Sequence, residues 1–198
     1  MSPLAPALAA FSLALLAACS TLPRTEPRAV VGRFSVVVAT DSGQDASAGR
    51  FVLACDDQTL TLELASPLGS TLARLQVDRD GARLLRADGK RPLLQGADVE
   101  SLTQAAFGWP LPVAGFADWI AGRPCADRPF RVRGPDTFEQ DGWTVLVLER
   151  FAAGAPRRLQ IERPPQPGGT PGITMRLVLE RPGADGPRPA CEARKPVP

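Results

Sequence analysis

Alternation with a period of two runs through most of this chain. Phe34, Val36 and Val38 interleave with Arg33, Ser35 and Val37; Leu60, Leu62 and Leu64 interleave with Thr61 and Glu63; Ala73, Leu75 and Val77 interleave with Arg74, Gln76 and Asp78. Strict alternation places the apolar set on one face of a half-buried antiparallel sheet. Asp56-Asp57-Gln58 and Asp80-Gly81 supply turn chemistry between successive strands. The pattern returns late in the chain, with strands predicted at 129–133 and 137–141. At 143–150, Val145 and Val147 lie on one face and Leu146 and Leu148 on the other. The segment 157–163 turns Leu159 and Ile161 inward, and 173–180 does the same with Ile173, Met175, Leu177 and Leu179.

The middle of the chain has a helical period instead. Val99, Leu102 and Ala106 repeat at helical spacing over 98–107, with Asp98 as N-cap and Gly108 just past the end. Pro110 and Pro112 break the chain. A second short helix over 113–121 carries Phe116, Trp119 and Ile120 on one side and stops at Gly122 and Pro124. Each helix is amphipathic and needs an apolar surface to cover.

These elements sum to a mainly β (α+β) fold: about ten or eleven strands in meander order, with two helices inserted near the middle. A sheet of that size curls or closes. The expected architecture is an incomplete antiparallel β-barrel with the helices as a lid across its concave side. Periodicity permits either a packed interior or a hollow one. The residues that face it are Phe34, Val36, Leu62, Leu64, Leu75, Val145, Leu159, Ile161, Met175 and Leu177 from the strands, with Phe116, Trp119 and Ile120 from the helices. They form either a solid core or the lining of an apolar cavity.

The first 18 residues carry no charge and hold an apolar run over 4–18, shorter than the roughly 20 residues that span a bilayer. The run closes on Leu16-Ala17-Ala18-Cys19, a bacterial lipobox in which small residues precede the cut and the cysteine takes lipid. The expected organisation is a signal peptide at 1–18, an acylated tether at 19–31, one β domain at 32–181 and a disordered Pro-rich tail at 182–198. Ser20, rather than Asp, follows the cysteine, which favours the outer membrane.

Removing 18 of 198 residues leaves 180, enough for one domain with a real core. A net charge of +2 gives no footprint for nucleic acid. The chain contains no His, and so lacks the commonest general base and metal ligand. With no nucleophile elbow or paired-carboxylate motif either, neither an enzyme nor a cofactor is expected. Once Cys19 is acylated, Cys55, Cys125 and Cys191 can close one disulfide at most and leave one thiol over.

One turn breaks the usual rule of polar tips. Ser66-Pro67-Leu68-Gly69-Ser70 joins two well-patterned strands, with Pro67 and Gly69 preset for a reversal and Leu68 at its crest. Read from these residues alone, Leu68 either folds back on the sheet edge or stands out as a single leucine.

Taken in order, several short motifs resemble the LolB family of outer-membrane lipoprotein receptors. They are the lipobox, Gly32-Arg33-Phe34, Ser66-Pro67-Leu68-Gly69-Ser70-Thr71, Gly108-Trp109-Pro110-Leu111-Pro112-Val113, Trp119-Ile120-x-Gly122-Arg123-Pro124, Gln140-x-Gly142-Trp143 and Pro156-Arg157-Arg158-Leu159. Leu53 departs from the pattern, standing where relatives often carry Trp. The resemblance implies an open barrel whose apolar cavity receives the acyl chains of lipoprotein cargo from a soluble periplasmic carrier. It also implies release of that cargo into the inner leaflet of the outer membrane, by a monomer anchored through Cys19. Pro67, Leu68 and Gly69 would form the loop that inserts into membrane lipid. Arg50, Arg74, Arg157, Arg158 and Arg176 are candidates for a rim that meets an acidic carrier. The competing expectation is a lipid-anchored scaffold protein with a packed barrel, or a holder of free lipid on the same fold.

Overall fold

Eleven strands and two helices make up the fold of the computed structural model, which describes residues 28–40, 43–55, 59–86, 92–166 and 170–180. The lipobox, Cys19 and the Pro-rich tail lie outside these residues. Strands β1 (Arg28–Thr40) and β2 (Gly43–Cys55) form a long hairpin, followed by β3 (Leu60–Ala65), β4 (Thr71–Asp78), β5 (Gly81–Leu85) and β6 (Pro92–Gly96). Helices α1 (Val99–Phe107) and α2 (Val113–Ile120) come next. The chain then resumes β structure with β7 (Phe130–Gly134), β8 (Thr137–Gln140), β9 (Trp143–Arg150), β10 (Pro156–Arg163) and β11 (Gly172–Leu179).

All strands lie in one antiparallel sheet with the order β6-β5-β4-β3-β2-β1-β11-β10-β9-β8-β7. The simple meander expected from sequence is therefore two meanders joined through β1 and β11, the first and last strands. That pairing runs from Gly32↔Leu179 to Ala39↔Gly172. Sequence neighbours pair everywhere else, so the sheet is open only between its edge strands, β6 and β7. The helical segment connects those two edges in sequence.

β1 begins four residues before the expected domain start. Arg28 to Val31 pair with Cys55 to Val52, so these residues belong to the sheet and not to the tether. The same register sets an orientation used below. Arg28, Cys55 and Leu60 share one end of their strands, whereas Ala65, opposite Arg50, leads into the 66–70 turn at the other.

The inner face is the predicted one. Val36, Leu62, Leu75, Val145, Leu159, Ile161, Met175 and Leu177 are all buried in one core, with Phe34 and Leu64 packed against it. Asp98 caps α1 through bonds from the Ser101 amide at 2.8 Å and the Glu100 amide at 3.4 Å, and Val99, Leu102 and Thr103 face inward. The second helix departs from expectation. From Gly115 to Ile120 it is buried on every side, so it sits inside the curl of the sheet and shows no polar face to water. Its composition explains this: only Asp118 is charged, and Arg123 neutralises it at 2.6 Å.

Candidate functional site

An apolar cavity of about 50 Å³ lies between the inner face of the sheet and the helical segment. Its walls are Phe34, Val36, Phe51, Leu62, Leu64, Met175 and Leu177 from the strands, with Trp109, Leu111 and Phe116 from the other side. Seven of the residues named from sequence are therefore brought together here. Leu75, Trp119, Ile120, Val145, Leu159 and Ile161 are buried in the surrounding core and do not line this cavity.

Phe51, Trp109 and Leu111 complete the wall without having been assigned to it from sequence. Phe51 had a legible signal, because Phe51, Leu53 and Cys55 alternate along β2. Leu53, at the position where the family pattern departs, is 2% exposed and packs into the core.

Two glycines make this wall possible. Gly32 is opposite Phe51 in the β1–β2 ladder, and Gly49 is opposite Phe34. A Cβ on Gly32 would lie 2.7 Å from the Phe51 ring, and one on Gly49 would lie 3.0 Å from the Phe34 ring. Each ring thus lies over its partner glycine, where any side chain would displace it. Phe51 in turn meets Phe116 edge-on, with centroids 6.0 Å apart at 68°, and this contact ties sheet to helix.

The helical segment is held unequally. The Asp141-Gly142 turn has positive φ at both residues (52° and 79°), a two-residue reversal that sets Gln140 against Trp143 at the head of the β8–β9 hairpin. Gln140 Oε1 then accepts from Trp119 Nε1 at 2.8 Å and from the Cys125 amide at 2.9 Å, and its Nε2 donates to the Cys125 and Arg128 carbonyls. Helix α2 and its exit are thereby fastened to β8. Helix α1 packs on the edge strand β6 and its neighbour β5. Its Thr103 hydroxyl accepts from the Leu111 amide at 2.9 Å, which ties α1 to the cavity-lining connection rather than to the sheet.

The 66–70 turn projects from the end of the β3–β4 hairpin. The Gly69 amide donates to the Ser66 carbonyl at 2.9 Å, the Ser66 amide to the Ser70 carbonyl at 2.8 Å, and the Ser70 amide to the Ser66 hydroxyl at 3.1 Å. Gly69 takes φ +91°. Leu68 is left 97% exposed at the tip, so it does not fold back on the sheet. At the base of this hairpin Glu63 accepts from Arg74 and, at 3.0 Å, from Thr71.

The arginines expected at a rim lie elsewhere. Arg50, Arg74, Arg158 and Arg176 project from the outer face of the sheet, alternating with the core residues. Arg50 pairs with Glu180, Arg74 with Glu63, Arg157 and Arg158 with Glu149, and Arg176 donates to Gln160. Of the cysteines, Cys55 is disulfide-bonded and Cys125 is a free buried thiol. Burial pushes the Cys125 thiol up to about 11, so it stays protonated at neutral pH and is a poor nucleophile. No helix among the described residues is long and apolar enough to cross a membrane.

The family model described as "Outer membrane lipoprotein LolB" matches residues 29–181, both helices and all of the sheet but Arg28. The chain belongs to the LolB family. A protein from Ralstonia nicotianae named outer-membrane lipoprotein LolB is 38% identical over 163 residues, covering 76% of this chain and 77% of its own. The LolB of Bordetella pertussis is 37% identical over 183 residues, 86% of this chain and 89% of that one. That of Cupriavidus pinatubonensis is 31% identical over 188 residues, covering 84% and 88% respectively. The family match begins at Ala29, one residue into β1, in agreement with the earlier start of the sheet.

Proposed function

We propose that this protein is a lipoprotein receptor of the outer membrane, anchored through an acylated Cys19 and facing the periplasm. It accepts lipoprotein cargo from a soluble periplasmic carrier and releases it into the membrane's inner leaflet. The observation that carries this reading is a cavity walled only by apolar side chains, shared between the sheet and the helical segment. Burying one methylene gains about 0.8 kcal/mol, so one acyl chain is worth on the order of 10 kcal/mol. Transfer needs no nucleophile, metal or nucleotide. It needs an interior slightly better for acyl chains than the carrier's and slightly worse than the bilayer, since about 1.4 kcal/mol shifts a partition tenfold.

The cavity is small in this state: about 50 Å³ against the roughly 300–1,000 Å³ of a site that holds a drug-sized ligand. Cargo entry therefore requires the helical segment to act as a lid. The unequal fastening supports one way for it to lift. Helix α1 and the connection through Trp109 and Leu111 move, while α2 stays fixed on Gln140 and the gap between β6 and β7 widens. Pro67, Leu68 and Gly69 form the tip that enters membrane lipid, and the protein works as a monomer.

A fluorescent acyl probe that binds and is displaced by unlabelled fatty acyl chains tests the cavity. The same small volume favours the alternative of a packed scaffold, which would show no displaceable binding. Leu68→Glu tests the loop: acyl-probe uptake is expected to stay within about twofold, while transfer of acylated cargo to vesicles falls at least tenfold. Transfer at the unaltered rate would remove Leu68 from the mechanism.

A further inference from the structure

The outer face of the sheet carries a group of arginines that contacts among the described residues neutralise only in part: Arg50 and Arg158 are ion-paired, Arg33 and Arg176 are not. Arg158, Val178, Arg33, Arg50 and Ala65 occupy one row across β10, β11, β1, β2 and β3. Arg33 and Arg50 are direct cross-strand partners, an opposition of like charges that costs stability unless something else compensates it. Arg176 sits one step along from Val178, opposite Ser35 and so diagonal to Arg33. With strands about 4.8 Å apart, these four guanidinium-bearing positions fall within roughly 15 Å of each other. The carboxylates facing the group are Glu180, held by Arg50, Glu149, held by Arg157 and Arg158, Glu63, diagonal to Arg50 and held by Arg74, and Glu162, which accepts from Gln160. Arg33 has no ion-pair partner among the described residues, and Arg176 donates only to the neutral Gln160.

The row has a second property. It ends at Ala65, the residue that leads directly into the turn bearing Leu68. Beyond that turn Leu72 is 62% exposed, so two leucines stand clear of the sheet at 97% and 62% at the Ala65 end of the row, about 10 Å across the strands from Arg33. Exposed leucines at one end of a row whose unpaired guanidinium groups lie two and three strands away suit a boundary with apolar chains on one side and phosphates on the other.

We propose that this outer face binds the phosphate groups of anionic phospholipid, with Arg33 and Arg176 as the principal contacts, and that it lays the barrel against the leaflet that Leu68 enters. The surface rests on the receptor reading only for which leaflet it meets; its lipid binding is independent of the cavity.

The test uses the mature chain carrying Cys19→Ala, so that no acyl anchor masks the surface. Its affinity is measured for vesicles of phosphatidylcholine alone and of phosphatidylcholine with one-third phosphatidylglycerol. The anionic vesicles are expected to bind more tightly, with the preference lost at high salt. Each arginine near an anionic surface contributes roughly fivefold, so Arg33→Gln with Arg176→Gln lowers affinity about twenty-five-fold. The matching pair of Lys substitutions retains it, and acyl-probe uptake by both variants is unchanged, which excludes misfolding. Equal binding to the two vesicle types, or no loss in the Gln variant, overturns the proposal. So does a Gln variant that keeps its vesicle affinity but loses capture by an acidic soluble carrier. A failure of acyl-probe uptake in the unaltered chain would instead refute the receptor reading and leave the vesicle result standing.

Discussion

Every hydrogen-bonding position of the Gln140 amide that faces the protein is used. Its oxygen accepts the Trp119 indole N–H and the Cys125 amide, and its nitrogen serves the carbonyls of Cys125 and Arg128. Gln140 and Trp119 are 2% and 0% exposed, so water cannot replace these bonds. Gln140→Ala is therefore expected to destabilise the fold by about 2–4 kcal/mol, the cost of stranding buried donors and acceptors, read from the urea midpoint. The same variant should loosen α2, detectable as faster hydrogen exchange at the Trp119 indole. The sequence places Gln140 beside a turn, but its partners are 15 and 21 residues away, and no local period reports such a contact. Trp109 and Leu111 were missed for a related reason. They belong to a Pro-broken connection with no repeat, and only the fold turns them inward.

Among the elements, the β3–β4 hairpin is the one built to hold something out into solvent. Hydrogen bonds, first from Arg74 and then from Thr71, hold the Glu63 carboxyl below the usual glutamate range, against the opposing effect of burial. A carboxyl whose pKa is lowered on folding adds stability above its unfolded pKa and loses it as pH falls through the folded value. Protection of the amides at 66–70, with exchange rates corrected for their intrinsic pH dependence, is thus expected to fall on acidification through that range. Glu63→Gln should show the lower protection already at neutral pH, with the pH dependence gone; an unchanged profile would mean that Glu63 does not brace the turn. The strands and α1 were legible because alternation and capping are local signals. Helix α2 was read as amphipathic from Phe116, Trp119 and Ile120, yet burial on all sides follows from having a single neutralised charge in eight residues. Residues 28–31 alternate too weakly to mark a strand, and only pairing with β2 takes them from the tether into the sheet.

At the scale of the molecule, joining β1 to β11 merges two meanders into one eleven-stranded sheet with β6 and β7 at its edges, and no sequence pattern could show which strands would meet. That register also fixes where the chain enters the sheet. Arg28 lies at the end of β1 level with Leu60, while Leu68 crowns the opposite end of β3. If Cys19 holds the leaflet that Leu68 must reach, the leash between them has a job of length. From the Leu60 level to Ala65 is about 17 Å at strand rise. The nine links from Cys19 to Arg28 span at most about 30 Å. Little slack is left once the turn's own height is added. Deleting four residues from 20–27 should cut cargo delivery several-fold and leave acyl-probe binding untouched, whereas inserting four should be harmless. On the proposed function the molecule is moored by one end and works with the other, so its rope can be lengthened but not shortened.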